Sequence, residues 1–151
     1  MSLEEIQAAI PHRPPMLLVD DIVARNENTI TCRKTFRADE FFFRGHYPQQ
    51  PLVPGVILCE CAMQAGAILL AAAMRDSPGV PVATRLNEVK FKRMVRPGET
   101  IQVEVKLQER LATAYYLRAK VSCGGKLAVG FDFACTVAQP NGDSQDPKSV
   151  S

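Results

Sequence analysis

The sequence predicts an α+β domain in which an antiparallel sheet wraps one long buried helix. Three observations carry that expectation. A nearly continuous apolar run from Val56 to Met74 starts at Pro54-Gly55. Short apolar or β-branched segments lie on both sides of it, and two of the later ones are joined across Gly124-Gly125 as in a hairpin. The chain of 151 residues, 46% of them hydrophobic, suits one domain with a real core.

The helix comes first, because it organises the rest. Proline suits a first helical turn, where its missing N–H would have no partner anyway, so Pro54 and Gly55 mark the start. Asp76, Ser77, Pro78 and Gly79 mark the end. The run is long enough to cross a bilayer. Glu60 and Gln64 interrupt it and small residues fill it (Ala62, Ala65, Gly66, Ala67, Ala71, Ala72, Ala73), which makes its transfer into lipid poor. A helix apolar on nearly all sides is then expected inside its own protein. Upstream, residues 16–24 and 29–36 read as strands separated by the turn-prone Asn26-Glu27-Asn28. Downstream, TRLNEVKFKRMV, TIQVEVKLQERL and the pair AYYLRAKVSC and KLAVGFDFACTVA read as a meander, with Ile101, Val103, Val105 and Leu107 on one face. One domain over 1–138 is expected, followed by a polar, mobile tail over 139–151.

Charge and cysteine usage narrow the function. Eighteen basic and sixteen acidic side chains give a formal charge of +2, without the basic excess of a nucleic-acid-binding surface. The five cysteines (Cys32, Cys59, Cys61, Cys123 and Cys135) show no zinc spacing, and Cys59 and Cys61 fall on different faces of the helix. Reduced thiols in a cytoplasmic protein are expected, with no metal and no cofactor. Glu4 and Glu5 stand where an export signal would carry positive charge.

The stretch FFFRGHYPQQPLVPGVILCECAMQ, residues 41–64, holds the chemistry. A helix start at Pro54-Gly55 presents unpaired N–H groups and partial positive charge to a carbonyl oxygen that gains charge during reaction. His46 is the candidate base beside it. Glu60 among apolar neighbours is the candidate acid, because burial disfavours the charged carboxylate. Gln64, four residues on, shares its face and is placed to orient the carboxyl group. Together they fit removal of a proton α to a carbonyl with loss of a β-hydroxyl as water. Plainer readings stand beside this one. A loop histidine is most often a hydrogen-bonded surface residue, and an acid near a helix start commonly complements the dipole.

GHYPQQPLVPGVILCECAMQ resembles the signature of the β-hydroxyacyl-acyl carrier protein dehydratases, the FabZ family, with His46, Pro48, Pro51, Pro54, Gly55, Val56, Glu60 and Gln64 in register. The likeness continues in PHRPPMLLVDDI upstream and VKFKRMVRPGETI downstream. The resemblance implies a hot-dog fold and dehydration of a (3R)-3-hydroxyacyl-acyl carrier protein to the trans-2-enoyl product. It implies a homodimer, with a trimer of dimers as a further assembly, and sites that take the histidine and the glutamate from different subunits. In that reading His46 handles the α-proton, Glu60 of the partner handles the β-hydroxyl, and the Gly55 amide polarises the thioester. Phe43, Tyr47, Pro54, Val56 and Gln64 would line the substrate. Glu60, where the related FabA enzymes carry aspartate, favours dehydration without isomerisation. Lys90, Lys92, Arg93 and Arg96 form the densest basic cluster, read either as a contact for acidic carrier protein or as a solvated strand face. The alternatives are a hot-dog thioesterase, a hydratase acting on coenzyme A thioesters, or a non-catalytic acyl-thioester binding protein.

Overall fold

A computed structural model describes residues 3–75 and 79–138. The expected helix-ending residues 76–78 and the expected C-terminal tail lie outside them. Helix α1 (Leu3–Ala9) is followed by strands β1 (Asp21–Arg25) and β2 (Thr29–Thr35), a 3-10 turn (Phe41–Phe43), and the central helix α2 (Gly55–Ala73). Strands β3 (Val80–Phe91), β4 (Thr100–Leu111), β5 (Ala114–Cys123) and β6 (Lys126–Ala138) complete one antiparallel sheet in the order β1-β2-β4-β5-β6-β3.

The expected α+β architecture is the observed one. On β4, Ile101, Val103 and Val105 are buried while their neighbours face out, so period-two patterning turns one face of the strand onto α2. β5 does the same through Tyr115, Leu117, Ala119 and Val121. The β5–β6 hairpin turns at Gly124 and Gly125, both with positive φ (60° and 79°), as a tight two-residue turn requires. The β1–β2 turn is held by Asn26, whose Oδ1 accepts from the amides of Asn28 and Thr29, each at 2.9 Å.

The long apolar helix is the core helix. Ten of its 19 residues, from Leu58 to Leu70, are buried by the chain itself. Gly66 allows the close approach, since a Cβ there would stand 2.8 Å from Cζ of Phe133 on β6. One face stays open, along Val56, Glu60, Met63, Ala67 and Ala71, the three-and-four spacing of a helical stripe.

Two elements differ from the sequence reading. Residues 3–9 form a helix that was not expected, and its Ile6 is buried with Ile10 just beyond it, against the core. The strand expected from residue 16 begins only at Asp21. Leu18 and Val19 are buried as a strand would have them, but the backbone at Met16 and Leu18 bonds to a helix side chain, described below, in place of a neighbouring strand.

Candidate active site

The N-terminus of α2 is assembled from three segments. Pro54 is its N-cap, and its carbonyl accepts the first bonds, from the Ile57 amide at 2.9 Å and the Leu58 amide at 3.3 Å. The amides of Gly55 and Val56 precede those bonds and carry the positive end of the helix dipole. The segment before the helix is tied to the one after β3 by the Val53 amide, which donates to the Val95 carbonyl at 2.7 Å. Between the two lies a groove of about 520 Å³, lined by Leu52, Val53, Gly55, Val56, Phe91 and Met94 among others. Phe91 packs its ring directly over Gly55. A Cβ on residue 55 would stand 2.5 Å from the Phe91 ring.

His46 stands in the loop that leads into this helix start. Its Nδ1 lies 3.1 Å from the Leu52 carbonyl oxygen, and Leu52 also lines the groove. A carbonyl can only accept, so this contact puts the proton on Nδ1 and leaves Nε2 with its lone pair. Tyr47 sets an edge against the imidazole, with ring centres 4.8 Å apart. Its backbone is left-handed (φ 53°), an uncommon conformation for a non-glycine residue, and its side chain is exposed.

Glu60 lies on the open stripe of α2, its side chain 26% exposed. Its surroundings are therefore less apolar than the sequence implies. Gln64 donates from Nε2 to Glu60 Oε2 at 3.0 Å and to the Met16 carbonyl at 2.7 Å, while its Oε1 accepts from the Leu18 amide at 2.8 Å. Expected among the substrate-lining residues, Gln64 is instead 1% exposed, with its oxygen and its nitrogen both engaged by the protein. The same Glu60 oxygen lies 3.7 Å from Nε2 of His12, a residue the sequence reading did not single out. The signal was present, since the chain holds only two histidines and the other lies in the PHRPP segment.

The remaining expected site residues separate into two groups. Val56 is exposed at the mouth of the groove, and Pro54 and Gly55 form the helix start. Phe43, by contrast, is buried in the core against Phe42, with ring centres 4.9 Å apart. Lys90, Lys92, Arg93 and Arg96 are all exposed, and none is in an ion pair with another described residue. Lys90 and Lys92 line a hollow on the outer sheet face with Arg118 and Lys120, Lys92 and Arg93 line the groove at α2, and Arg93 and Arg96 line a third hollow in the turn before β4.

The cysteine thiols are free and buried. Desolvation pushes Cys32 up to about 12 and Cys135 up to about 11, and raises Cys59, Cys61 and Cys123 as well. A thiol held protonated this way is a poor nucleophile and a poor metal ligand. Among the described residues, no three His, Cys, Asp or Glu side chains converge as a metal site would need.

This fold defines a class, the hot-dog domains. Two solved structures share it. One is the dehydratase heterocomplex ApeI:P from Xenorhabdus doucetiae, with a TM-score of 0.77 at 15% identity over 90% of this chain and 92% of that one. The other is the E. coli PaaI protein from the phenylacetic acid degradation operon, with a TM-score of 0.66 at 16% identity over 89% and 91%. Sequence goes further. Residues 23–126 match the model of the ApeI-like family, described as ApeI dehydratase. The chain is 34% identical over 128 residues to the 3-hydroxyacyl-[acyl-carrier-protein] dehydratase FabZ of Clostridium perfringens (strain SM101 / Type A), covering 85% of this chain and 92% of that protein. It is 35% identical to the FabZ of Streptococcus pneumoniae (strain CGSP14) over 85% and 91%. The chain belongs to the hot-dog dehydratase family of the FabZ and ApeI-like type.

Proposed function

We propose that the protein removes water from a (3R)-3-hydroxyacyl thioester carried by acyl carrier protein, giving the trans-2-enoyl thioester, in fatty acid biosynthesis or a related acyl pathway of the cytoplasm. The observation that carries this reading is the anchoring of His46 Nδ1 on the carbonyl of Leu52, which leaves Nε2 free to act as a base, while Leu52 itself lines the groove where α2 begins. In the reaction the thioester carbonyl lies against the Gly55 amide, which stabilises the charge that develops on oxygen. His46 Nε2 takes the α-proton. Glu60 gives a proton to the β-hydroxyl, the C–O bond breaks, water leaves and the α,β double bond forms. Proton exchange with water then resets both groups.

The two groups come from different subunits of a homodimer. Supporting this is β3, an edge strand of 12 residues whose side chains are mostly exposed, Val82, Leu86 and Phe91 among them. Long exposed apolar edges are templates for pairing with a second copy. Lys92 and Arg93 at the groove suit the acidic carrier protein.

The test is loss of water from a 3-hydroxybutyryl thioester, with release of free thiol followed in parallel. Dehydration without thiol release is expected, and His46→Ala and Glu60→Gln should each lower it by ~10² to 10⁴. Thiol release as the main reaction makes the protein a thioesterase. Either variant retaining within about threefold of wild-type turnover removes that residue from the mechanism.

A further inference from the structure

The mechanism leaves His12 unused, yet its position is fixed from both sides. The Arg13 guanidinium donates to the carbonyls of Gln7 (2.9 Å), Ile10 (2.9 Å) and His12 itself (2.7 Å), binding the segment to the end of α1. Four residues further on, Gln64 fastens Met16 and Leu18 to α2. Between these clamps His12 turns Nε2 toward Glu60 Oε2, at 3.7 Å, and its Nδ1 is buried without a hydrogen-bond partner among the described residues. Buried polar atoms in that condition are uncommon and call for a reason. The oxygen that His12 approaches is the one that already accepts from Gln64. Glu60 Oε2 thus accepts a hydrogen bond from Gln64 and faces His12 Nε2 at ion-pair distance, while Oε1 receives no hydrogen bond from another described residue.

We propose that His12 is a positioning residue for Glu60: with Gln64 it holds Oε2, so that Oε1 is the oxygen that meets the β-hydroxyl and gives it the proton. This rests on the dehydration reading above. Other charged groups near His12 do not compete for it. Glu5, Arg25 and Arg75 line with His12 a second groove, of about 470 Å³, but Glu5 and Arg25 pair with each other at 3.5 Å, and Glu60 is the described carboxylate within ion-pair reach of His12. The two histidines of the chain would then have separate tasks, His46 moving a proton and His12 aiming the group that moves the other.

Kinetics on the full-length protein separate this from a structural role. His12→Leu should lower kcat about tenfold to a hundredfold with KM changed less than about twofold, the size of effect that misplacing a reacting group produces. His12→Gln, which returns an amide nitrogen near the Nε2 position, should recover kcat to within about fivefold of wild type. In a Glu60→Asp background the carboxyl group is drawn back by one methylene and the contact is already broken, so His12→Leu should then cost less than about twofold. Equal losses in both backgrounds, a change confined to KM, or failure of His12→Gln to recover kcat overturns the proposal. If His12→Leu does not fold, His12→Asn, which stays polar but withdraws from Glu60, is judged by the same kcat, KM and background criteria. A wild-type protein that removes no water defeats the functional reading. An active wild type with an unaffected His12→Leu defeats this inference alone.

Discussion

Replacing Gln64 by leucine tests whether one buried amide holds both the loop and the acid. Gln64 is 1% exposed and makes bonds of 2.8 Å to the Leu18 amide, 2.7 Å to the Met16 carbonyl and 3.0 Å to Glu60. Leucine keeps most of the volume and removes all three. Met16 is 40% exposed, so its carbonyl can turn to water at small cost, whereas Leu18 is 0% exposed and its amide is left unsatisfied. An orphaned buried donor costs about 1–3 kcal/mol, and no new polar group is introduced to offset it. A loss near 2 kcal/mol corresponds to a fall in Tm of about 4–8 °C for a domain of this size. Urea unfolding at fixed protein concentration measures the total, and hydrogen exchange at the Leu18 amide measures the bond itself. The expected result is a lower midpoint, faster exchange at Leu18 and a reduced kcat, because Glu60 loses its tether. An unchanged midpoint together with unchanged Leu18 protection would refute the assigned bonding.

Lys34 points inward from β2 with its side chain 8% exposed, 2.9 Å from Glu40 (11% exposed) and 3.5 Å from Asp20. Lys34→Met should cost about 3–5 kcal/mol in urea unfolding by stranding Glu40, and Lys34→Met with Glu40→Leu should recover most of it. The thiols set an alkaline limit. Cys32 ionises near 12 in the folded chain against a usual 9.0, so its contribution is fully present below pH 9, and unfolding gains about 1.4 kcal/mol per pH unit from this thiol between 9 and 12, which urea midpoints at pH 8 and pH 10 will show. Lys90→Glu with Arg93→Glu should weaken use of carrier-bound substrate more than use of a small thioester, with the difference fading at high salt; equal losses return these residues to a solvated face. His46→Ala and Glu60→Gln chains, unfolded together and refolded in equal amounts, should regain about a quarter of wild-type activity if each site draws on two subunits, and none if each site lies within one chain.

The parts of the molecule that were legible in the sequence are those that local chemistry determines. Alternation on β4 follows from one face meeting the core, the Pro54-Gly55 start follows from missing and unneeded amide hydrogens, and the turn at Gly124-Gly125 follows from its positive φ angles. Glu60 and Gln64 were legible as neighbours because a helix places i and i+4 side by side whatever surrounds it.

What escaped the sequence depends on packing between distant segments. Gln64 reaches Leu18 across 46 residues and Met16 across 48, and no local pattern says that these bonds replace strand pairing there. Helix α1 spans seven residues, too few for its periodicity to stand out, and Arg13 ends it through carbonyl bonds that only the folded loop brings together. The family resemblance implies Phe43 as a substrate-lining residue, yet the 3-10 turn places it in the core and leaves Phe41 outside. A proton-transfer group must be one of a few residue types, so its identity is written at its own position. The geometry that makes such a group useful is written in its neighbours: in the Leu52 carbonyl for His46, and in Gln64 and His12 for Glu60. Neighbours of that kind can lie anywhere in the chain. The bonds among Arg13, Gln64 and the loop between them therefore set how far the acid can wander from its task, and a substitution at any of these positions should reach the reaction through Glu60.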